Sequence, residues 1–206
     1  MCFSIKGLLY RVFIDPLIGS LRRRVTSMIS PGERVIEVAC GTGALSLSMA
    51  TIAGHVTGLD LSEDMILTAR QAAGRRRAKN VAFELHDATD LSGYQDKVFD
   101  AAVSTMAMHQ FDPGTGVKVL LEMRRVAGRI IIADYRCPMR PGPAPWLSRM
   151  IERAAGGEHY RNFRTYMERG GLGRLAEEAG LKIISQEEKG EGVFTVAVLM
   201  PAAAKT

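Results

Sequence analysis

From residue 34 onward, short β-rich runs alternate with longer amphipathic ones. That alternation restricts the chain to a parallel sheet joined by crossover helices. The strand-like runs fall at 34–39, 55–60, 81–86, 99–105, 129–134, 182–187 and 193–200. Only Lys189-Gly190-Glu191-Gly192 separates the last two, a hairpin-like connection, so one of them runs antiparallel to the rest. Helical periodicity occupies 44–53, 63–77 and 117–126, while the third crossover shrinks to 88–97. A Pro/Gly-rich excursion at 137–145 precedes helical stretches at 146–155 and 162–179, the second ending at Gly180. The expected class is α/β: a seven-stranded, mostly parallel sheet with one antiparallel strand and helices on both faces. A chain of 206 residues, 47% hydrophobic and 24% charged, is read as one domain over 1–206, with a helical arm at 1–30.

The arm carries Ile14, Leu17, Ile18, Leu21, Val25 and Met28 at spacings of three and four, with Asp15-Pro16 as a helix start and Ser30-Pro31-Gly32 as its stop. With Tyr10 and Phe13 it is either a lid over a pocket or an extra helix packed on the sheet. A net charge of +5 comes from 27 Lys+Arg against 22 Asp+Glu, gathered in runs such as Arg22–Arg24 and Arg75–Arg77. Without interleaved aromatics these runs read as solvated helix faces, and no nucleic-acid partner is expected. The charge-free window from Val38 to Leu59 holds four glycines and His55, so no stable membrane insertion is expected. Three separated cysteines, Cys2, Cys40 and Cys137, suit a reduced, cytoplasmic setting.

The most informative stretch is Val35-Ile36-Glu37-Val38-Ala39-Cys40-Gly41-Thr42-Gly43-Ala44-Leu45, in which a buried strand enters a tight glycine turn and then a helix. Open α/β sheets bind ligands at that carboxyl end. Asp60 closes the next strand about 20 residues on, where a carboxylate can accept both hydroxyls of a ribose. Ser46 stands where a dinucleotide fingerprint wants its third small residue. Glu37, Asp60 and Asp87 mark three successive strand ends, and no Lys or Arg lies in the loop. A cationic nucleoside suits that set better than phosphates do.

These residues resemble the class I S-adenosylmethionine-dependent methyltransferases, especially the group containing ubiquinone and menaquinone C-methyltransferases. The resemblance is carried by Glu37-Val38-Ala39-Cys40-Gly41-Thr42-Gly43, Gly58-Leu59-Asp60-Leu61-Ser62-Glu63-Asp64-Met65, Asp87-Ala88, Phe99-Asp100-Ala101-Ala102-Val103 and Gly128-Arg129-Ile130-Ile131-Ile132. It covers 31–134, about half the chain, and looks like the family's closing elements again at Gly180-Leu181-Lys182. It implies a Rossmann-like fold with a cofactor-binding half at 31–134 and substrate-side helices and closing strands at 135–206. It also implies S-adenosyl-L-methionine as cofactor. By that resemblance the loop of Gly41 and Gly43 passes under the methionine part of the cofactor, Glu37 lies near its ammonium group and Asp60 holds the ribose. Met65, Asp87 and Ala88 surround the adenine, Leu61 belongs to the same cofactor-binding set, and Ser104 opens the segment facing the methyl group. Met65 is equally readable as a core methionine. Ala39 replaces the family's usual glycine, and a Cβ there opposes φ > 0.

Methyl transfer from a sulfonium needs alignment and exclusion of water more than a universal catalytic side chain. His109, after the fourth strand, is either a general base or a histidine that only hydrogen-bonds the loop or lines the pocket wall. Tyr160, in a polar-aromatic cluster with Asn162 and Tyr166, either shapes a substrate pocket or packs a helix. There is no Asn/Asp-Pro-Pro-Tyr/Phe motif, no Pro-Cys nucleophile and no zinc-ligand set of cysteines and histidines, so no metal is expected, and a small-molecule acceptor, apolar or aromatic, is. Two other classes stay open: a cofactor-binding scaffold without turnover, and an NAD(P)-dependent oxidoreductase, which Ser46 disfavours.

Overall fold

The computed structural model describes residues 15–202. The first element is α1 (Asp15–Thr26), whose Leu21 and Val25 are fully buried. Ile14, Tyr10, Phe13 and Cys2 lie outside the described residues. The chain continues through β1 (Arg34–Val38), α2 (Ala44–Met49), β2 (His55–Asp60), α3 (Glu63–Arg76), β3 (Val81–Leu85) and β4 (Phe99–Thr105). A 3-10 turn (Met108–Gln110) leads to α4 (Pro113–Val126), β5 (Ala127–Tyr135), α5 (Pro143–Ala155), α6 (Gly157–Glu168), α7 (Gly171–Glu178), β6 (Leu181–Lys189) and β7 (Phe194–Pro201).

One seven-stranded sheet runs in the order β3-β2-β1-β4-β5-β7-β6, with β7 antiparallel to both of its neighbours. The predicted class and the antiparallel closing strand are both present. Central strands are mainly apolar because each is covered on two faces: Val35, Ile36 and Val38 of β1 and Ile131 and Ile132 of β5 are fully buried. The order reverses between β1 and β4, where Val38 pairs with Ser104. Right-handed crossovers therefore place α2 and α3 on one face and α4 on the other, and leave a crevice beyond the carboxyl ends of β1 and β4. On one face α1 packs against α2, and on the other α4 packs against α7.

The helix boundaries depart most from the sequence reading. α2 stops at Met49, and α4 and α5 begin earlier than predicted, each with a proline in its first turn, where the missing N–H costs nothing. The helix predicted over 162–179 is two helices, and the first starts at Gly157. The break falls at Gly170 and Gly171, both at positive φ, and a Cβ on Gly171 would stand 2.5 Å from that of Cys137. No helix among the described residues is long and apolar enough to cross a membrane.

Candidate functional site

The crevice at the strand-order reversal is a cavity of about 870 Å³, within the range of sites for small organic ligands. One wall comes from the carboxyl ends of β1 to β3 and the turns that follow them. The other comes from Met106, Ala107, Gln110 and Phe111 after β4, with Thr115, Lys118 and Val119 of α4. Of the predicted residues, Ala39, Gly41, Asp60, Leu61, Met65, Asp87 and Ala88 line it. A smaller cavity of about 190 Å³ adjoins it, lined by Glu37, Thr105 and the Ile18 and Arg22 side chains of α1, and shares Ala39, Gly41 and Met106 with the larger one.

The acids are placed by backbone hydrogen bonds. Asp60 Oδ2 accepts from the Gly41 N–H at 2.8 Å and Oδ1 from the Ser62 N–H at 2.9 Å, so the carboxylate is fixed between the glycine turn and the start of α3. The Ser62 hydroxyl caps α3 by accepting from the Met65 N–H. Asp87 Oδ1 accepts from both the backbone N–H and the hydroxyl of Thr89, each at 2.8 Å. Lys118 is the one Lys or Arg lining the large cavity among the described residues. Glu37 is buried and takes a short hydrogen bond from the Ser46 hydroxyl. Burial pushes its carboxyl up to about 8, which the Ser46 contact and the Arg22 charge only partly offset. Ser46 therefore serves Glu37, and it also packs on β2, since a Cβ on Gly58 would come 2.9 Å from its Oγ.

Several expectations need correction. Ala39 adopts φ 56 despite its Cβ, so the chain enters the turn in the left-handed conformation that glycine would take. Met106 at φ 58 does the same at the end of β4, directly across the crevice. Such conformations cost non-glycine residues about 1–3 kcal/mol and persist where the surroundings over-determine them. Met65 is 41% exposed and lines the cavity; it is not a core methionine. Gly43 lines neither cavity. It is a packing glycine at φ 73, where a Cβ would come 2.5 Å from the Phe83 ring. Ser104 is fully buried, and its hydroxyl donates to the Val38 carbonyl at 3.1 Å, tying β4 to β1 inside the sheet.

His109 and Tyr160 also lie off the cavity. His109 is 1% exposed, with Nδ1 2.6 Å from Asp134 Oδ1, under a cover made by α5 and α6. Burial lowers its basicity, but the Asp134 charge and hydrogen bond, with Glu152 behind them, outweigh burial and raise it. Tyr160 stacks on Phe163 with ring centroids 6.4 Å apart, and the Asn162 side chain donates to the Gln110 carbonyl at 2.7 Å. Their helix braces the cavity wall from behind. Sequence reasoning missed His86, Thr89, Thr115 and Lys118, although the last two stand one helical turn apart beyond the Asp112-Pro113 start of α4.

Comparison with known proteins agrees with this geometry. Residues 29–180 match the family described as "Methyltransferase domain". The chain is similar to a demethylmenaquinone methyltransferase of Clavibacter sepedonicus, 31% identical over 156 residues, which are 68% of this chain but only 62% of that relative. In fold it resembles the PH0226 protein of Pyrococcus horikoshii OT3, with TM-score 0.68 and 22% identity over 97% of this chain and all of that one. It also resembles a SAM dependent methyltransferase from Aquifex aeolicus, with TM-score 0.66 and 20% identity over 97% of this chain and all of that one. The chain belongs to the methyltransferase-domain family, of the class I S-adenosylmethionine-dependent kind.

Proposed function

We propose that this chain binds S-adenosyl-L-methionine and transfers its methyl group to a small acceptor with an apolar or aromatic skeleton. The observation that carries the reading is the cavity at the strand-order reversal, with Asp60 and Asp87 fixed at successive strand ends. The donor set suits the cofactor. Gly41 sits at φ 53 with open space where a Cβ would be, so a ligand can approach its backbone. Glu37 and the Thr105 hydroxyl, which is buried without a hydrogen-bond partner, face the adjoining small cavity and suit the charged amino-acid end. Asp60 has lone pairs left for ribose hydroxyls, and Met65, Asp87 and Ala88 border the space for the base.

When bound, the cofactor supplies an electrophilic methyl on a sulfonium leaving group. The protein's part is alignment and exclusion of water. Met106, Ala107 and Phe111 offer an apolar acceptor wall, and Gln110, Thr115 and Lys118 offer polar orientation. A relative named for demethylmenaquinone supports an aromatic, quinone-like acceptor. No step is assigned to His109 or Tyr160, which lie outside the cavity. The alternative is a cofactor-binding scaffold without turnover, which a transfer assay distinguishes.

Calorimetric titration of the full chain with S-adenosylmethionine, S-adenosylhomocysteine and NAD tests the first step. Saturable binding of the two adenosyl sulfur compounds alone is the expected result, and binding of NAD alone would overturn the assignment. Transfer of labelled methyl groups to quinol and phenol acceptors then separates the enzyme from the scaffold.

A further inference from the structure

Behind the cavity wall, four segments bring ionisable side chains to one point. His109 comes from the turn after β4, Asp134 and Tyr135 from the end of β5, Glu152 from α5 and His159 from α6. Asp134 accepts from the backbone N–H groups of His109 and Tyr135 as well as facing the His109 ring. A carboxylate so placed accepts a hydrogen bond from Nδ1–H, and in the neutral imidazole the free lone pair is then on Nε2. Nε2 lies 3.7 Å from Glu152 Oε1, beyond hydrogen-bond reach. The other carboxylate oxygen, Glu152 Oε2, is 2.5 Å from His159 Nε2, and the Tyr135 hydroxyl donates to Oε1 at 2.7 Å. The two imidazole rings stand perpendicular with centroids 5.7 Å apart. One ligand atom from each of His109, Glu152 and His159 lies within 4.8 Å of the others.

An ion-pair network accounts for the Asp134 to His109 and Glu152 to His159 contacts. It leaves His109 Nε2 facing Glu152 Oε1 at 3.7 Å, too far for a direct hydrogen bond and close enough for an ion to bridge them. The geometry points to a site for a zinc-class divalent cation formed by His109, Glu152 and His159. Ligands about 2.0–2.1 Å from a tetrahedral ion stand about 3.3 Å from one another, so the required adjustment is on the order of 1 Å. His159, 32% exposed, is the ligand best able to make it. Asp134 on His109 Nδ1 is the carboxylate–histidine pairing that orients metal-bound imidazoles, and Tyr135 orients Glu152 in the same way. Two nitrogens and one oxygen leave a fourth position for water, as zinc accepts. The ion would clamp α5 and α6 onto the turn that supplies Gln110 to the cavity. This inference stands apart from the methyl-transfer reading.

The test uses the full chain without a histidine tag, stripped with a chelator and titrated with Zn²⁺ against a chromophoric competitor. Co²⁺ absorption reports the coordination geometry. One equivalent bound, tetrahedral Co²⁺ bands in the visible and a zinc-dependent rise in Tm are expected. His159→Ala, at a partly exposed position, removes the bands and weakens binding at least about tenfold, as does Glu152→Gln. His55→Ala, far along the chain at the start of β2, changes neither. No binding at micromolar zinc, binding indifferent to both His159→Ala and Glu152→Gln, or binding lost with His55→Ala would each overturn the site.

Discussion

Two aspartates stand at the carboxyl ends of parallel strands, Asp60 at the end of β2 and Asp134 near the end of β5. Asp60 stays partly exposed, takes two backbone N–H groups and borders the large cavity. Asp134 is fully buried and is consumed by the His109 ring and the backbone N–H groups of His109 and Tyr135. The difference lies in what the chain does next. After β2 it turns directly into α3 and leaves the strand end open. After β5 it spends seven residues, 136–142, before α5, and then α5 and α6 close over the strand end. A strand-end acid is thus available to a ligand only where the following segment leaves the crevice uncovered.

The comparison breaks most visibly in stability. Asp134→Ala removes the partner of a buried histidine and strands two backbone N–H groups, a loss of about 3–5 kcal/mol. For a chain this size that lowers Tm on the order of 10 °C, readable by calorimetry. Asp60→Asn keeps the size and one carbonyl acceptor but leaves one of the two backbone N–H groups facing an amide NH2, so it costs about 1–2 kcal/mol, well short of the loss at Asp134. It removes the charge and half the acceptor capacity from the cavity, and affinity for S-adenosylmethionine falls about a hundredfold, on the order of 2.7 kcal/mol. If instead Asp60→Asn destabilised the fold as much as Asp134→Ala does, the two aspartates would not differ in kind.

The half containing Asp60 was legible in the sequence because its contacts are local. Asp60 reaches Gly41, 19 residues away, and Ser62, two away, and the spacing of motifs along β1 to β3 sets those distances. The half containing Asp134 was not. Its partners are 25 residues off at His109 and, through Tyr135, 17 off at Glu152, and nothing in the periodicity of α5 says which face will meet β5. His109 read as a pocket residue because it leaves the sheet on the ligand side. The positive φ at Met106 and the 3-10 turn carry it past the rim into the core. Ala39 misled in the opposite direction, since propensity opposed a conformation that the turn imposes.

Glu37 lies between these extremes, as a buried carboxyl beside a cavity, and its mark is a pH dependence. With its pKa raised by burial to about 8 from the ordinary 4.5, the folded chain keeps a proton that the unfolded chain gives up. Stability from this group is therefore intact below about pH 4.5, falls as pH rises through the window to about 8, and is fully lost above it. Glu37→Gln, neutral throughout, removes that slope. Tm measured at pH 5 and pH 8 drops less in the variant than in the parent, by the equivalent of a few kcal/mol at most. An equal drop in both would mean that Glu37 is ionised in the folded chain at neutral pH.

The smallest effect sharpens the reading of the open end. Ala39→Gly relieves a left-handed alanine, a gain of about 1–2 kcal/mol, and pays back about 0.5–1 kcal/mol in unfolded-chain entropy. The net change in stability is within about 1 kcal/mol and favours the variant. Because Ala39 already holds the conformation a glycine would take, ligand affinity stays within about twofold of the parent. A large gain in affinity would mean that the Ala39 Cβ intrudes on the ligand, and a large loss that the Cβ is a contact the ligand uses. Either would move Ala39 from a backbone role to a side-chain one, and the calorimetric titration that measures Asp60→Asn decides it in the same series.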